Sequence, residues 1–522
     1  MSARIRTILK EIMKKANPIP KTPKEKKERK PLTKKQKVIL ITLISVVSAL
    51  LIAGIVTLVV LLGNKDGGSG KYDMPSRKIQ YEYYIDEGDT VGFTLKDNFR
   101  EDVPLKEFTR TPVFTDENIL LDDNLLLKVK EGASEGQFAS YNYSYKGVVI
   151  AVINVKVVDA DEYIHTPQEL LNVSTEQDKT YIVKNDLNLS GIEGNISQFI
   201  GSIHFNHNAV SGFNASNGGL FKELNGATIT GLDLVNVTGS TILTDYGNHG
   251  IVADYASNGK MRYCTISGNV NISSVAEAND VLYVGGFVGY ASALKRKNYV
   301  DVEPAYVHLV SFLDLNVSGS GDFRVGGLVG GIRNATLNNS FNHGKISANV
   351  SETQVANLKN LYIGGMVGAL SKEYDAITQT NFLDESNGLY SYCDINVNVQ
   401  GGGVHNSINV GGVFGYLENH SVVNCTYGGK MDINLTRASL NAGGIIGCTN
   451  NYTTLKMNVR GIIVKGEIKI YSLSNVYAGG LIGESVETQY SSVEQSITPT
   501  ISTDSSKVQG TQLATPNVAN AK

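Results

Sequence analysis

The sequence predicts an all-β protein: a right-handed parallel β-helix (β-solenoid), preceded by a small β-sandwich and by one N-terminal transmembrane helix. Three observations predict it. A glycine-rich motif recurs about every 39 residues, a period typical of solenoids and propellers. Alternating β-branched residues fill the region 79–160, and 25 consecutive uncharged residues occupy 38–62. With 54 glycines, 11 prolines and four cysteines in 522 residues, the composition excludes collagen and disulfide-stapled modules.

The segment at 38–62 is rich in Val, Ile and Leu, and as a helix it is long enough to cross a bilayer with some tilt. Residues 1–37 carry 14 Lys and Arg against 3 Asp and Glu. The positive-inside rule therefore predicts a cytoplasmic N-terminus and an extracellular C-terminus in the cell membrane, with membrane lipid as the partner of 38–62. A cleaved signal peptide is the competing interpretation, disfavoured because signal peptides have shorter apolar regions and a small-residue cleavage site.

Residues 63–78 begin with GNKDGGSG and are predicted to be a flexible linker. The next region, 79–160, alternates short β-prone runs with turn signals such as DEGD and KG. About 80 residues of this kind predict a small β-sandwich. The β-prone runs lie at 90–95, 125–129, 138–145 and 148–157.

A five-residue motif, G-G-φ-φ-G with φ apolar, occurs six times at spacings of 41, 38, 47, 32 and 36 residues. Two degenerate copies precede it at 218–221 and 250–253. We expect the apolar pair to line a core and the glycines to form a tight corner that needs positive φ and close approach. A β-propeller is the competing fold, disfavoured by the irregular spacing and the absence of Trp. The predicted structural glycines are Gly285, Gly286, Gly289, Gly326, Gly327, Gly330, Gly364, Gly365, Gly368, Gly411, Gly412, Gly415, Gly443, Gly444, Gly447, Gly479, Gly480 and Gly483.

A second element follows most copies of the motif and combines a polar pair, a small residue and a glycine. Aligning its copies predicts that Cys264, Ser340, Cys393 and Cys425 share one repeat position. We interpret them as a ladder of small buried side chains. A disulfide or a metal site needs side chains that converge on a point, whereas equivalent solenoid positions lie a coil apart.

On these motifs the chain resembles GLUG-repeat proteins, over roughly residues 164–490. The likeness includes the opening segment IHTPQELLNVSTEQDKTYIVKNDLNLSG, in which 167–171 would form a short capping helix. It implies a β-helix at 161–486 in a surface-exposed bacterial protein, and some relatives carry IgA-cleaving metallopeptidases. Residues 79–160 are similar to bacterial immunoglobulin-like spacer domains, through the strings DEGDTVGFTL and INVKVVDA. The Ser/Thr-rich segment 487–522 is predicted to be disordered.

No catalytic motif is recognisable. None of the eight histidines precedes a Glu, so the H-E-x-x-H zinc motif is missing, and His204 and His207 are interpreted as a surface pair. The sequence therefore assigns no catalytic residue, no metal ligand and no cofactor, and it leaves the binding residues unknown. Acidic candidates for a carbohydrate-active face are Asp245, Asp254, Asp280, Asp301 and Asp314. Weaker calcium candidates, better explained as solvated loop acids, are Asp122, Asp123, Asp159 and Asp161.

These observations predict a single-pass, membrane-anchored surface protein whose solenoid acts as a binding, adhesion or spacer module. Carbohydrate, cell-wall polymer or a host protein is the expected ligand. The region after residue 37 carries a net charge of -14, which argues against nucleic acid as a partner. Two alternatives stay open: a β-helix polysaccharide lyase or glycosidase, and a scaffold component of a cell-envelope complex.

Overall fold

A computed structural model describes part of the chain, and every described residue belongs to one compact unit, Met74–Lys522. The described residues are 79–93, 95–96, 102–103, 107–122, 126–293, 305–371, 385–401, 406–436, 438–451, 457–472, 476–485, 488–495, 500–502 and 518–521. The predicted basic tail, transmembrane segment and linker at 1–78 lie outside them. Within the described ranges, no helix combines the length and the apolar character that crossing a membrane requires.

The first described region contains three small sheets. The largest has the strand order Ile79–Ile85, Val148–Val157, Phe138–Tyr145 and Thr109–Phe114, and its first strand runs parallel to its neighbour. The side chain of Phe93 packs between Tyr83 and Tyr143 of that sheet, with ring centroids 5.9 and 5.7 Å away. The smaller sheets contain Thr90–Gly92, Leu126–Val129 and Ile119–Leu121, and Leu95–Lys96 with Asp102–Val103. This region, called the sandwich region below, begins with an edge strand, Ile79–Ile85.

The remaining described residues are nearly all β, with large parallel sheets, as the sequence predicts. Each strand pairs in parallel with the strand one coil later, so that four ladders, A to D, form successive sides of a coil. A short helix, Pro167–Leu171, lies near the start, closed by a capping box between Thr166 and Glu169. Two 3-10 turns, Ala215–Asn217 and Val355–Asn357, interrupt the coils.

Ladders A and B meet at one corner of the coil. Ladder A contains Glu162–Ile164, Thr180–Val183, Ser202–His204, Thr228–Thr230, Lys260–Arg262, Tyr306–Val307, Leu337–Asn342, Glu385–Ser391, Ser421–Val423, Thr426–Tyr427, Met457–Val464 and Thr488–Gln495. Ladder B contains Leu187–Asn188, Ala209–Ser211, Asp233–Leu243, Thr265–Val275, the first part of Val310–Gly326, Lys345–Val350, Asp394–Val399, Lys430–Leu435, Glu467–Ser472 and Thr500–Ser502.

Ladders C and D meet at the glycine motif. Ladder C contains Gly247–Gly250, Val281–Gly285, the second part of Val310–Gly326, Leu358–Gly364, Ser407–Gly411, Ser439–Gly443 and Val476–Gly479. Ladder D contains Phe221–Asn225, Ala253–Ser257, Val288–Ser292, Val329–Arg333, Val367–Ser371, Phe414–Glu418, Ile446–Asn450, Ile482–Ser485 and Val518–Ala521. Three strands of the 487–522 segment thus extend ladders A, B and D, because the open edge of each ladder offers backbone groups for parallel pairing.

The glycine motif stacks in register. Its first glycine forms one column, in which Gly285 pairs with Gly326 and the column continues to Gly479. The degenerate copy at Gly250 belongs to the same column. The sequence-based reason for the glycines was only half right, because none of the predicted structural glycines has positive φ. Close approach is the reason instead: a Cβ on Gly412 would overlap the carbonyl oxygen of Gly444 in the next coil.

Positive φ values recur at the corner between ladders A and B, among other places in the described chain. There Tyr263, His308, Asn339 and Asn424 have φ between 48° and 56°. Asparagine is one of the few non-glycine residues that tolerates this region, because its short amide bonds nearby backbone. In the remaining coils the equivalent corner residues are Gly231, Gly388 and Gly461, with φ between 62° and 70°.

The position directly after this corner points into the core. It holds Cys264, Ser340 and Cys425 in three of the coils, as predicted, and all three side chains are buried. The prediction is wrong for Cys393, since Ser340 pairs with Leu389 and the residue after Cys393 pairs with Lys345. Cys393 therefore lies four residues after the shared position, level with Gly344 of the preceding coil. All four cysteines are free, and burial raises the pKa of Cys264 and Cys425 to about 12. Cys264 and Cys425 therefore act as small core side chains rather than as nucleophiles.

Candidate functional site

A concave surface, called the C/D groove, follows the glycine motif from coil to coil. Period-2 alternation places Leu282 and Val284 of ladder C in the core and Tyr283 outside. The outer position of ladder C holds Asn248, Tyr283, Arg324, Tyr362, Asn409, Asn441 and Tyr477 in successive coils. The outer position of ladder D holds Tyr255, Tyr290, Gly331, Ala369, Tyr416, Cys448 and Glu484.

Side chains from the two ladders touch across the groove. The ring centroids of Tyr283 and Tyr290 are 4.5 Å apart, and those of Tyr362 and Tyr416 are 5.2 Å apart. The amide Nδ2 of Asn441 donates a hydrogen bond of 3.0 Å to Oε2 of Glu484. Outward side chains diverge at a convex corner, so these contacts show that the outer faces of ladders C and D converge.

The last glycine of the motif allows this convergence. A Cβ on Gly330 would lie 2.5 Å from the backbone nitrogen of Val284, and one on Gly483 would lie 2.5 Å from that of Ala442. Real Cβ atoms do not approach backbone so closely, which leaves glycine as the residue that fits. The repeat that defines the fold therefore also creates the base of the groove.

Aromatic rings dominate the first part of the groove. Tyr255 and Tyr290 stack with centroids 6.0 Å apart and an interplanar angle of 11°. A Cβ on Gly331 would overlap the ring of Tyr283 and would lie 2.8 Å from Tyr290, so this glycine makes room for both rings. Burial raises the pKa of Tyr283 to about 12, and the phenol therefore stays a neutral hydrogen-bond donor.

The charges in the middle of the groove are mutually paired. The guanidinium of Arg324 contacts the carboxylate of Asp322, donates a 3.0 Å hydrogen bond to the carbonyl of Phe323, and lies 3.9 Å from the ring centroid of Tyr362. Asn360 donates a hydrogen bond of 2.9 Å to the second oxygen of Asp322. Asp322 is only 3% exposed. This cluster forms a polar floor of the groove, and its charged groups already have ion-pair or hydrogen-bond partners within the protein.

Amides and carboxylates line the last part. Asn441 donates to Oδ1 of Asn409 over 2.9 Å as well as to Glu484. On the rim of ladder D, the hydroxyl of Tyr416 donates a 2.9 Å hydrogen bond to Glu418. Burial raises the pKa of Glu418, and the hydrogen bond from Tyr416 partly offsets this rise. Asn409 and Asn441 are buried and form the floor, whereas the half-buried Tyr416 and Glu418 present hydrogen-bonding groups to a ligand in the groove.

A second cluster lies where the sandwich region contacts the coils. The side-chain amide of Asn206 accepts a 2.8 Å hydrogen bond from the backbone N–H of Tyr84 and donates one of 2.7 Å to its carbonyl. The backbone N–H of Gln80 donates to Nε2 of His308 over 3.2 Å. These bonds satisfy part of the edge of strand Ile79–Ile85, which would otherwise be open for pairing. We call this contact the joint.

Three of the eight histidines of the chain belong to the joint. The ring of His204 stacks on Tyr84 at 3.8 Å, and that of His207 lies 5.0 Å from Tyr81. The interpretation of His204 and His207 as a surface pair is therefore wrong, because the sandwich region buries both rings. The sequence places these residues far from strand Ile79–Ile85, and no local pattern indicates their contact. The geometry indicates packing rather than catalysis.

The structure does not gather the acidic candidates. Asp254 lies on ladder D, where its carboxylate accepts from the N–H of Gly219 at 2.8 Å and pairs with Lys222 at 3.0 Å. Asp280 lies between ladders B and C, and Asp314 lies on ladder B. Asp245 lies between ladders B and C of an earlier coil, and Asp301 lies outside the described residues.

Two of the calcium candidates accept hydrogen bonds from backbone N–H groups. Asp122 accepts from the N–H of Leu126 and Asp161 from that of Thr180, while Asp123 lies outside the described residues. In the part of the chain that the structure describes, no three His, Cys, Asp or Glu side chains form a group that could hold a metal ion.

Sequence reasoning missed the C/D groove, although a signal exists. The residue two positions before each motif is polar or aromatic, as in Tyr283, Tyr362 and Tyr477. Aligned on the glycines, these residues predict one outer column. The contact between Tyr362 and Tyr416 of the next coil could not be predicted in this way, because it depends on the direction in which ladder D leaves the corner.

Comparison with known proteins adds little. No family model matches the chain, and no curated protein matches it. Among solved structures, it is similar to a Bacteroides ovatus protein whose assignment as an immunoglobulin A1 protease is itself provisional. The sequences are 14% identical, the match covers 58% of this chain and 83% of that chain, and the TM-score is 0.37. A TM-score at this level does not establish a shared fold.

Proposed function

We propose that this chain is a membrane-anchored surface protein of the GLUG-repeat type that binds carbohydrate in the C/D groove. In this proposal residues 38–62 cross the membrane, the sandwich region is an immunoglobulin-like spacer, and the coils form a right-handed β-helix. The observation that carries the proposal is the pair of facing rows, one on ladder C and one on ladder D, in which tyrosines alternate with amides and paired charges.

The chemistry of the groove suits a sugar. A pyranose ring presents apolar C–H faces, which pack on aromatic rings, and hydroxyl groups, which need donors and acceptors at fixed positions. Tyr290 and Tyr362 supply rings, and Tyr416 and Glu418 supply hydrogen-bonding groups. Hydrogen-bonded ladders hold these side chains rigidly, which lowers the entropy lost on binding.

Tyr362→Ala in the full-length chain is expected to weaken retention of soluble polysaccharides at least about tenfold, because it removes a ring at the centre of the groove. Affinity electrophoresis and a glycan array measure the change. Tyr392→Ala is the matched control, since Tyr392 also stacks on a neighbouring ring, that of His343 at 5.2 Å, but belongs to the A/B corner. Equal affinities for both variants and the unmodified chain would contradict the proposed site.

A carbohydrate-active enzyme is the second candidate, favoured by the raised pKa of the half-buried Glu418 on the rim of the groove, since a carboxylic acid of this kind can act as a general acid. Release of soluble fragments from the retained polysaccharide would support this alternative over simple binding. Retention without fragments would support the binding module.

Anchoring has its own test. Protease added to intact cells that express the full chain is expected to remove an epitope placed after residue 486 and to spare one placed before residue 38. Cells permeabilised beforehand serve as the control, in which both epitopes are lost. Survival of the C-terminal epitope on intact cells would overturn the proposed surface location.

A further inference from the structure

We infer that the C/D groove selects uncharged polysaccharide chains and rejects polyanionic ones. The inference rests on the proposed carbohydrate-binding function and specifies the class of ligand. It follows from the state of the two arginines in the groove, from the carboxylates beside them and from the direction of the rows.

The guanidinium of the first arginine, Arg324, is already ion-paired within the protein and is not available to bind an anion. Arg324 contacts the buried carboxylate of Asp322, and one face of its guanidinium lies against the ring of Tyr362. A carboxylate ligand would have to displace Asp322, which Asn360 also holds by a hydrogen bond. Breaking a buried ion pair leaves an uncompensated charge and is strongly unfavourable.

The second arginine, Arg333, lies on the rim of ladder D one coil after Ser292, and its side chain hydrogen-bonds the hydroxyl of Tyr290. The other charged groups of the later coils in the groove are the carboxylates of Glu418 and Glu484. A uronic acid or sulfated sugar would therefore meet negative charge there, and the described residues of these coils place no unpaired cation in the groove to compensate it.

The rows also indicate how such a chain would lie. Equivalent outer residues, such as Asn409 and Asn441, occur in consecutive coils, and neighbouring strands of a sheet lie about 4.8 Å apart. A ligand lying along the groove meets a new pair of outer side chains at each coil. The groove thus fits a linear chain that runs across the strands rather than a single sugar.

The test compares a neutral β-glucan with polygalacturonate on the full-length chain. The neutral polymer is expected to bind at least about tenfold more tightly, and its affinity is expected to change less than about twofold between roughly 50 and 500 mM NaCl. Tighter binding of polygalacturonate, with a steep loss in salt, would overturn the inference while leaving carbohydrate binding intact. If neither these polymers nor any glycan on an array is retained, the proposed function fails.

A single substitution sharpens the test. Asp322→Asn removes the carboxylate that neutralises Arg324 and is expected to raise the ratio of polygalacturonate affinity to neutral-polymer affinity several-fold. Asp314→Asn, on the outer face of ladder B, is the matched control. An unchanged ratio of these affinities for a folded Asp322→Asn protein would contradict the role assigned to this ion pair. If the variant does not fold, the salt dependence of binding by the unmodified chain still tests the inference.

Discussion

Gly412→Val is expected to destabilise the coils by at least about 3 kcal/mol, one of the largest effects available in this chain. The new side chain would overlap the carbonyl oxygen of Gly444 and the ring of Tyr427, a fully buried residue. Backbone and core lie on the two sides of this position, so neither rotamer change nor solvent exposure can relieve the overlap. Neighbouring coils stack directly on this one, and the loss should spread to them.

Chemical denaturation of the full-length chain, followed by circular dichroism and by limited proteolysis, measures the effect. Gly247→Val is the matched control, because Gly247 also lies in ladder C without positive φ and a Cβ there meets only the carbonyl oxygen of Asp245, at 4.0 Å. New cleavage sites are expected in the coils around residue 412. A midpoint for Gly412→Val equal to that of the control would contradict the close-approach explanation of the motif.

Acidification is expected to weaken the joint strongly. Burial lowers the pKa of His204 to about 3 and that of His308 to about 4, from an ordinary value of 6.5. The folded state therefore binds fewer protons than the unfolded state, and stability falls as pH falls below 6.5. The free energy of unfolding continues to fall until the pH reaches the pKa values of the folded state. The loss is up to about 1.4 kcal/mol per pH unit for each histidine. At pH 5 the two together would cost roughly 4 kcal/mol.

The groups around these rings do not remove the effect. Lys156 lies close enough to His204 to lower its pKa further, and His207 acts in the same direction on His308. Among acidic groups, Asp233 approaches His207 at 3.8 Å, and Glu82 is paired with Lys156 at 2.8 Å. The nearest carboxylates thus already have partners and do not stabilise a proton on His204.

The slope of unfolding free energy against pH between about 6 and 4.5 measures this linkage. His204→Gln is expected to reduce the slope by close to one proton, since glutamine keeps a polar group beside Thr230, which hydrogen-bonds His204 at 2.7 Å, but does not titrate. His165→Gln is the control, because His165 is exposed and lies outside the joint. An unchanged slope for His204→Gln would show that this ring does not drive the acid sensitivity.

Much of the fold could be predicted from local pattern. The glycine columns and the alternation around Val288 and Ile446 repeat within each coil, and the structure places them in register. The error at Cys393 arose because this cysteine lies four residues after the shared position, in a coil whose register does not shift: Ser340 pairs with Leu389 and Lys345 with Asp394. The role of the motif glycines was predicted in part: the expected close approach of backbones is found, whereas the expected positive φ is absent from them.

What the sequence by itself determined is the kind of coil, because the apolar period of two and the spacing of the glycines are local and repeat along the chain. Only the tertiary structure decided which side chains meet across coils, as with Tyr362 and Tyr416, and which histidines the sandwich region buries. Those contacts depend on loop lengths, on ladder register and on the sharp turn at each motif. They join residues distant in sequence, for which no local preference exists.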